Sequence, residues 1–354
     1  MEKRIRIGVI GVGSIAESHI AGYKSDPRVE LYAFCDINEE RLREKGERHG
    51  VTRLYTDVQD MVKLPELDAV SVCTWNAVHA PCAIAALEAG KDVLCEKPMA
   101  MDTAEAEAMQ EAARKNGRLL MIGFVRRFGN DCGVVQDFIE AGYFGELYYA
   151  KATYLRRNGS PGGWFGEKAR SGGGPLIDLG VHVIDLVRYM AGNPQPVSVY
   201  GATFHKLGDR PGVVRGAGYV SAGKSTEDVF DVEDLATAMI RFDNGMVLSI
   251  EASFSLNIEK DEGKIELFGT KGGAKLDPEL TLYGETAGYM TNTTIATGTA
   301  LDFNGLFERE IHHYIDCLTD GTACRAPAED GTALMRILQA VYESARTGHE
   351  VVLA

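Results

Sequence analysis

The sequence predicts an α/β chain in two parts. A doubly wound parallel sheet occupies residues 1–123, and an α+β part over 124–354 is built on a large, mostly antiparallel, open-faced sheet. Three observations carry this reading. Apolar strands alternate with helices as far as Gly123, period-two stretches dominate beyond it, and 354 residues suit roughly two domains.

In the first part, residues 4–10 read as a strand, followed by a glycine turn and a helix over 14–24. Strand 29–35, helix 39–49, a short strand at 53–55, strand 69–74, helix 79–89, strand 93–95, helix 103–116 and strand 119–123 follow. Gly90 and Gly117 stop two of the helices. Strands alternating with helices imply right-handed crossovers and a parallel sheet. In the second part, strands are expected at 146–154, 197–204, 236–242, 246–254 and 264–268, with helices at 130–141, 175–191, 304–318 and 331–346. Asn244-Gly245 between two strands is a strong hairpin signal. Residues 205–232, rich in Gly, Ser and Asp, read as a long surface excursion. Helices on one face of this sheet leave the other in need of a cover, and a second subunit is the simplest one.

Composition excludes several function classes. With 37 Lys+Arg against 51 Asp+Glu, the net charge of -14 repels phosphate backbones and anionic membranes, so nucleic acid and membrane partners are not expected. No apolar run approaches the ~18 residues that a membrane span needs. The seven cysteines show no CxxC pairing and no zinc spacing, and His312-His313 has no accompanying ligand spacing, so no metal site is expected. Reduced, buried thiols in a cytoplasmic protein are the expectation.

The chemistry starts at Gly11-x-Gly13-x-x-Ala16, which follows a strand and opens a helix. Gly11 allows the tight turn, Gly13 lets backbone approach a pyrophosphate, and Ala16 permits close helix–strand packing; Ser14 and Ile15 lie on the phosphate-facing turn. Asp36, at the end of the second strand, stands at the offset expected for an acid that binds the adenosine ribose hydroxyls. It would repel a 2′-phosphate, which favours NAD over NADP, while Arg41 nearby keeps NADP open. Thr74, Trp75 and Asn76 after strand 69–74 are candidate cofactor contacts. Asn76 could equally cap the next helix, and His79 could equally be structural.

Glu96-Lys97-Pro98 closes a buried strand at the sheet edge where ligands bind, so both Glu96 and Lys97 are candidate cofactor-site residues. There the Lys97 ammonium can polarise a substrate oxygen while a hydride moves. In the second part, Pro175 suits the first turn of a helix on which Asp178, His182 and Asp185 fall at i, i+4 and i+7, one polar stripe on an apolar helix. An aspartate one turn from a histidine can orient its ring, making His182 a candidate general base. Arg126, Arg157 and Trp164 are candidates for fixing substrate hydroxyls or stacking on a sugar face.

Together these segments resemble the Gfo/Idh/MocA oxidoreductases, which include inositol and sugar dehydrogenases. The resemblance rests on Gly11-x-Gly13-x-x-Ala16, Glu96-Lys97-Pro98, the Gly-Gly-x-x-x-x-Asp-x-Gly-x-His-x-x-Asp run from Gly173 to Asp185, and Asp330-Gly331 in the closing helices. Trp75 departs from it, since the family commonly has proline before the asparagine. The resemblance implies a Rossmann domain plus an open-faced sheet domain, assembly as a homodimer or homotetramer, and catalysis by Lys97 and His182 with Asp178 close by. The expected function is NAD-dependent hydride transfer at a secondary hydroxyl of a sugar, polyol or glycoside. Two alternatives are an NAD-dependent glycosidase working by transient oxidation and elimination, and a non-catalytic dinucleotide or sugar sensor.

Overall fold

Along the first 123 residues, strand and helix alternate as the hydrophobic pattern predicts. The computed structural model describes residues 4–208, 210, 212–213, 219–221, 223–224, 227–296, 298–299 and 301–353. In order come β1 (Ile5–Ile10), α1 (Ser14–Ser25), β2 (Val29–Cys35), α2 (Glu39–His49), β3 (Arg53–Tyr55), α3 (Val58–Val62), β4 (Ala69–Val72), α4 (His79–Glu88), β5 (Asp92–Glu96), α5 (Thr103–Asn116) and β6 (Leu120–Gly123). Capping fixes several ends: the side chains of Asn38 and Asp102 accept N–H bonds at the starts of α2 and α5, and Gly117 closes α5 at φ 59°.

These strands form one parallel sheet in the order β3-β2-β1-β4-β5-β6. Helices cover both faces of such a sheet, so its strands are apolar on both sides. Val9, Val70, Val72, Leu94 and Cys95 are accordingly fully buried. The strand order reverses between β1 and β4, and ligands bind outside the carboxyl ends of strands at that point.

The chain continues through α6 (Asn130–Glu140), β7 (Leu147–Leu155), α7 (Lys168–Ser171), α8 (Val181–Met190), β8 (Pro196–Phe204), β9 (Leu235–Phe242), β10 (Val247–Ser253), β11 (Glu262–Gly269), β12 (Gly273–Leu276), β13 (Thr281–Thr286), β14 (Tyr289–Thr294), α9 (Phe303–Asp320), α10 (Ala328–Thr347) and β15 (Val351–Val352). The second sheet runs β14-β13-β12-β11-β7-β10-β9-β8-β15, antiparallel at every pairing except β7–β10. The expected hairpin joins β9 to β10, with Gly245 at φ 85°. Strands β12 to β14 escape the period-two reading; β14, Tyr-Met-Thr-Asn-Thr-Thr, is exposed almost throughout and has no apolar face to alternate.

One face of this sheet is the core, with Ala150, Ala152, Val199, Ile240, Leu248, Ile250 and Leu267 buried and α8 packed across β7, β10 and β11. The other face is open. Tyr200 and its cross-strand partner Met239 are 54% and 52% exposed there, and Tyr149 stacks on Phe268 with centroids 5.5 Å apart.

The chain divides into two compact units, 1–125 with 303–335 and 126–302 with 336–354. The expected division at residue 123 therefore differs, because residues 303–335, α9 and the first part of α10, join the first unit. Gly22 on α1 lies so close to α9 that a Cβ there would come within 2.8 Å of Ile311, and Arg28 pairs with Asp316 at 2.8 Å. Such contacts are invisible to local periodicity. Among the described residues, no helix is long and apolar enough to cross a membrane.

Candidate active site

The nucleotide turn is built by space as much as by bonds. Gly11 sits at φ 82°, and a Cβ on it would lie 2.8 Å from the carbonyl oxygen of Cys73, beyond the end of β4. Gly13 has nothing within 4 Å of its missing Cβ. It also caps α1 without a side-chain bond, so the N–H groups of the first turn, at Ser14, Ile15 and Ala16, keep their donors for an anion. Asp36 is buried beside this turn: Oδ2 accepts from Val12 N at 2.9 Å, and Oδ1 from Asn38 N at 2.8 Å and Arg41 Nη2 at 3.1 Å. Arg41 thus turns its charge onto Asp36. A carboxylate has about four acceptor positions, so one remains for a ribose hydroxyl. Thr74 Oγ1, just past β4, is buried without a partner among the described residues. An open cradle, an uncapped helix end and an orphaned hydroxyl fit a dinucleotide.

Further along the edge, Trp75 is half-buried and Asn76 is buried at the start of a 3₁₀ turn over Asn76–Val78. His79 is fully buried, its Nδ1 2.7 Å from Pro98 O and its Nε2 3.1 Å from Thr74 O. Burial pulls its pKa down more than the two carbonyls raise it, and a neutral ring donates to only one of those oxygens at a time. His79 therefore sits between the segments that follow β4 and β5, with one ring nitrogen facing a carbonyl of each.

The Glu96 carboxylate points into the domain. Oε1 accepts from His19 Nε2 at 2.9 Å and Oε2 from Lys97 N at 3.1 Å. His19 in turn contacts Ser71 Oγ at 3.1 Å, and Ser71 bonds Tyr23 at 2.6 Å. Burial alone would lower His19, but the Cys73 sulfur and the Glu96 carboxylate outweigh it and push the imidazole up to about 10. Glu96, which burial alone would raise, is held low by His19 and then by Lys97. The contribution of His19 to stability is full below pH 6.5 and is lost as pH rises toward 10. We expect an alkaline fall in unfolding midpoint across that window, measured by thermal denaturation against pH, which a His19→Leu variant does not show. Lys97 itself, half-buried, follows β5 with its own N–H and the next carbonyl both anchored.

In the second unit, the Pro175 helix is not uniform. Leu176–Gly180 is a π-turn, and α8 continues from Val181. Between Gly173 and Arg188 only Asp178 and His182 are not buried. The wider turn moves Asp185 off the expected common stripe. It lies in the core, receiving Arg127 Nε at 3.2 and 3.0 Å and Nη2 at 2.6 Å. Asp185 is thus a buried ion-pair partner of Arg127.

Glu233 holds the start of this helix. Its buried carboxylate accepts from Gly174 N at 2.9 Å, Leu176 N at 3.2 Å and Tyr342 Oη at 2.9 Å. Burial raises its pKa, and those donors partly offset the rise. The neighbouring Asp234 gathers the N–H groups of Lys206, Leu207 and Gly208, pinning the beginning of the 205–232 excursion. Sequence reasoning missed both acids; a Glu-Asp pair entering a strand carried no signal without its partners. We expect Glu233→Ala to lower kcat by up to about 10²-fold by displacing the helix, with NADH affinity unchanged in a fluorescence titration and partial rescue by Glu233→Gln.

The other candidates are placed as follows. Arg126 pairs with Asp131 at 2.9 Å and Asp277 at 3.2 Å, so its charge is spent inside the unit. Arg157 is exposed, bonding Asp261 through its backbone and the Glu259 carbonyl through its guanidinium. Trp164 is half-buried and stacks on Phe165 with centroids 3.9 Å apart. The described part of the excursion is laced to the Trp164 loop through Ser221 N to Pro161 O, Gly163 N to Asp228 Oδ2 and Asp231 N to Gly166 O. Residues 209, 211, 214–218, 222, 225 and 226 of the excursion lie outside the described residues.

A doubly wound sheet with this nucleotide turn and a lysine at a strand end, followed by a sheet domain with an Asp-x-Gly-x-His helix, defines a dinucleotide-dependent oxidoreductase. Residues 5–124 match the Gfo/Idh/MocA oxidoreductases with an NAD-binding Rossmann fold, residues 134–275 match the C-terminal domain of the same group, and the chain belongs to that family. It is similar to the D-glucoside 3-dehydrogenase of Escherichia coli, 35% identical over 352 residues covering 99% of this chain and 97% of that one. It is also 28% identical to the levoglucosan dehydrogenase of Pseudarthrobacter phenanthrenivorans over 378 residues, 97% of this chain and 96% of that one. A solved structure of levoglucosan dehydrogenase in complex with NADH and levoglucosan superposes with a TM-score of 0.85 at 26% identity, covering 99% of both chains.

Proposed function

We propose that this protein oxidises a secondary ring hydroxyl of a sugar or glycoside with NAD, through Lys97, Asp178 and His182. The observation that carries the reading is the selective exposure of Asp178 and His182 on an otherwise buried helix, in a chain where Lys97 also directly follows the buried strand β5 of the parallel sheet. Gly11, Gly13, Ser14 and Ile15 would hold the pyrophosphate, Asp36 the adenosine ribose, and Thr74, Trp75 and Asn76 the nicotinamide half. The sheet order supports that assignment, since β2 and β5 stand three strand spacings apart, about 14 Å. Bound NAD supplies the hydride acceptor.

His182 takes the hydroxyl proton as the carbon loses its hydride, and Asp178 orients the imidazole and stabilises its charged form. Lys97 holds its ammonium against the oxygen on which negative charge develops. Trp164 and Arg157 contribute to sugar recognition. The substrate class we favour is a glucoside, from the similarity to the Escherichia coli enzyme. Self-association over the open sheet face, around Tyr200 and Met239, and a reducing cytoplasmic setting that suits seven cysteines outside any disulfide complete the reading.

The test is NADH formation across glucosides, free sugars and inositols, with NADP in parallel. A rate with NAD on a glucoside is expected. A rate with NADP alone would refute the role given to Asp36.

A further inference from the structure

α9 and the segment after it carry a group of side chains that the proposed reaction does not use. His313 and Cys317 are four residues apart on α9, hence on one face of the helix. Gly321, at φ 67°, turns the chain back so that Cys324 meets them. One donor atom from each residue lies within 4.8 Å of the other two. All three cysteine and histidine side chains belong to the first unit, and neither thiol is in a disulfide. The sequence reading passed over this group because Cys324 is brought in by the turn rather than by any ligand spacing within the helix.

We propose that His313, Cys317 and Cys324 form a binding site for a thiophilic divalent cation, Zn²⁺ foremost. Zinc bonds of about 2.3 Å to sulfur and 2.1 Å to nitrogen, at a tetrahedral angle, separate the two donors by about 3.6 Å. Cys317 Sγ and His313 Nε2 are 3.5 Å apart. Two thiols and an imidazole form a soft donor set that suits zinc and disfavours calcium or magnesium. Both cysteines are partly exposed, so water can fill the fourth position and the cation has a way in.

Nε2 also accepts the Arg325 N–H at 3.0 Å, and the cation would take over that lone pair. Binding replaces the thiol protons, which are released to solvent. The segment from Cys324 leads directly to Ala326 and Pro327, which pair with β6 through Ile122 N to Ala326 O at 2.9 Å and the Met121–Pro327 bridge. The cation would therefore fasten the end of α9 to the segment that lines the last strand of the parallel sheet, a stabilising clamp apart from the catalytic residues.

The test uses the full chain, reduced and stripped of metal, titrated with Co²⁺ and then Zn²⁺. The expected result is a thiolate-to-cobalt charge-transfer band that saturates at one equivalent, is displaced by Zn²⁺, and disappears in Cys317→Ser and in Cys324→Ser. Zn²⁺ should also raise the unfolding midpoint of the wild type and release protons in an unbuffered titration, readings that need no variant to fold. Absence of the band, equal cobalt uptake by the Cys317→Ser/Cys324→Ser double variant, or thiol counts showing the two cysteines joined in a disulfide without added oxidant would overturn the proposal.

Discussion

Replacing Lys97 or His182 by alanine lowers kcat by about 10²–10⁴-fold each, the range for losing a positioned acid–base or electrostatic group. NADH affinity stays within a few fold in both variants. The reason lies in what each substitution leaves behind. The backbone at Lys97 is held by Glu96 through its own N–H and by His79 through the Pro98 carbonyl, so removing the side chain does not release the segment. His182 lies in the first turn of α8, whose anchorage comes from Glu233 at Gly174 and Leu176 and from the Arg127–Asp185 pair, all of which survive. Steady-state rates against pH, with cofactor binding measured separately, check the prediction. The His182→Ala variant also loses the acid limb of the kcat profile, which a merely structural histidine would not produce. If both residues serve the proposed hydride transfer, the double variant falls less than the product of the singles.

Breaking the Arg127–Asp185 pair destabilises the second unit by about 3–5 kcal/mol, the usual consequence of leaving one buried charge without its partner. Both side chains are essentially inaccessible, and the guanidinium also lies 4.7 Å over the Tyr189 ring. For a unit of this size the loss corresponds to a drop of roughly 6–20 °C in unfolding midpoint. Asp185→Asn keeps the shape and removes the charge, so it isolates the electrostatic part. The paired change Arg127→Met with Asp185→Leu recovers most of the stability, since an apolar pair of similar volume leaves nothing unsatisfied. Thermal unfolding of the two variants measures this, and an Asp185→Asn protein as stable as the wild type would show the pair to be dispensable.

The parallel sheet was legible because its signals are local. Helix caps, glycine stops and apolar runs lie within a few residues of the elements they define, and strands 29–35 and 53–55 and helices 39–49 and 103–116 match the structure residue for residue. The glycine turn and the Glu96-Lys97-Pro98 triplet stand out in the sequence for the same reason, as short local patterns at strand ends. What was illegible depends on packing between distant segments. Asp185 looked like a third member of the Asp178/His182 stripe because 3.6-residue periodicity cannot anticipate the π-turn at Leu176–Gly180. Arg126 and Arg127 are equivalent on paper, yet one pairs with Asp131 and Asp277 near the surface and the other with Asp185 in the core. Glu96 reads as part of a functional triplet, but its carboxylate faces His19, 77 residues earlier, a pairing made by the sheet rather than by the motif.

The most direct test of the account is a label-transfer experiment. A methyl glucoside deuterated at every ring carbon is incubated with the enzyme and NAD, and the cofactor is recovered for mass and NMR analysis. The account predicts reduced cofactor carrying one deuterium on the nicotinamide ring, formed at a rate that Lys97→Ala and His182→Ala both suppress. Unreduced cofactor, or reduced cofactor carrying only protium, would contradict hydride transfer from the sugar and with it the roles assigned to both residues.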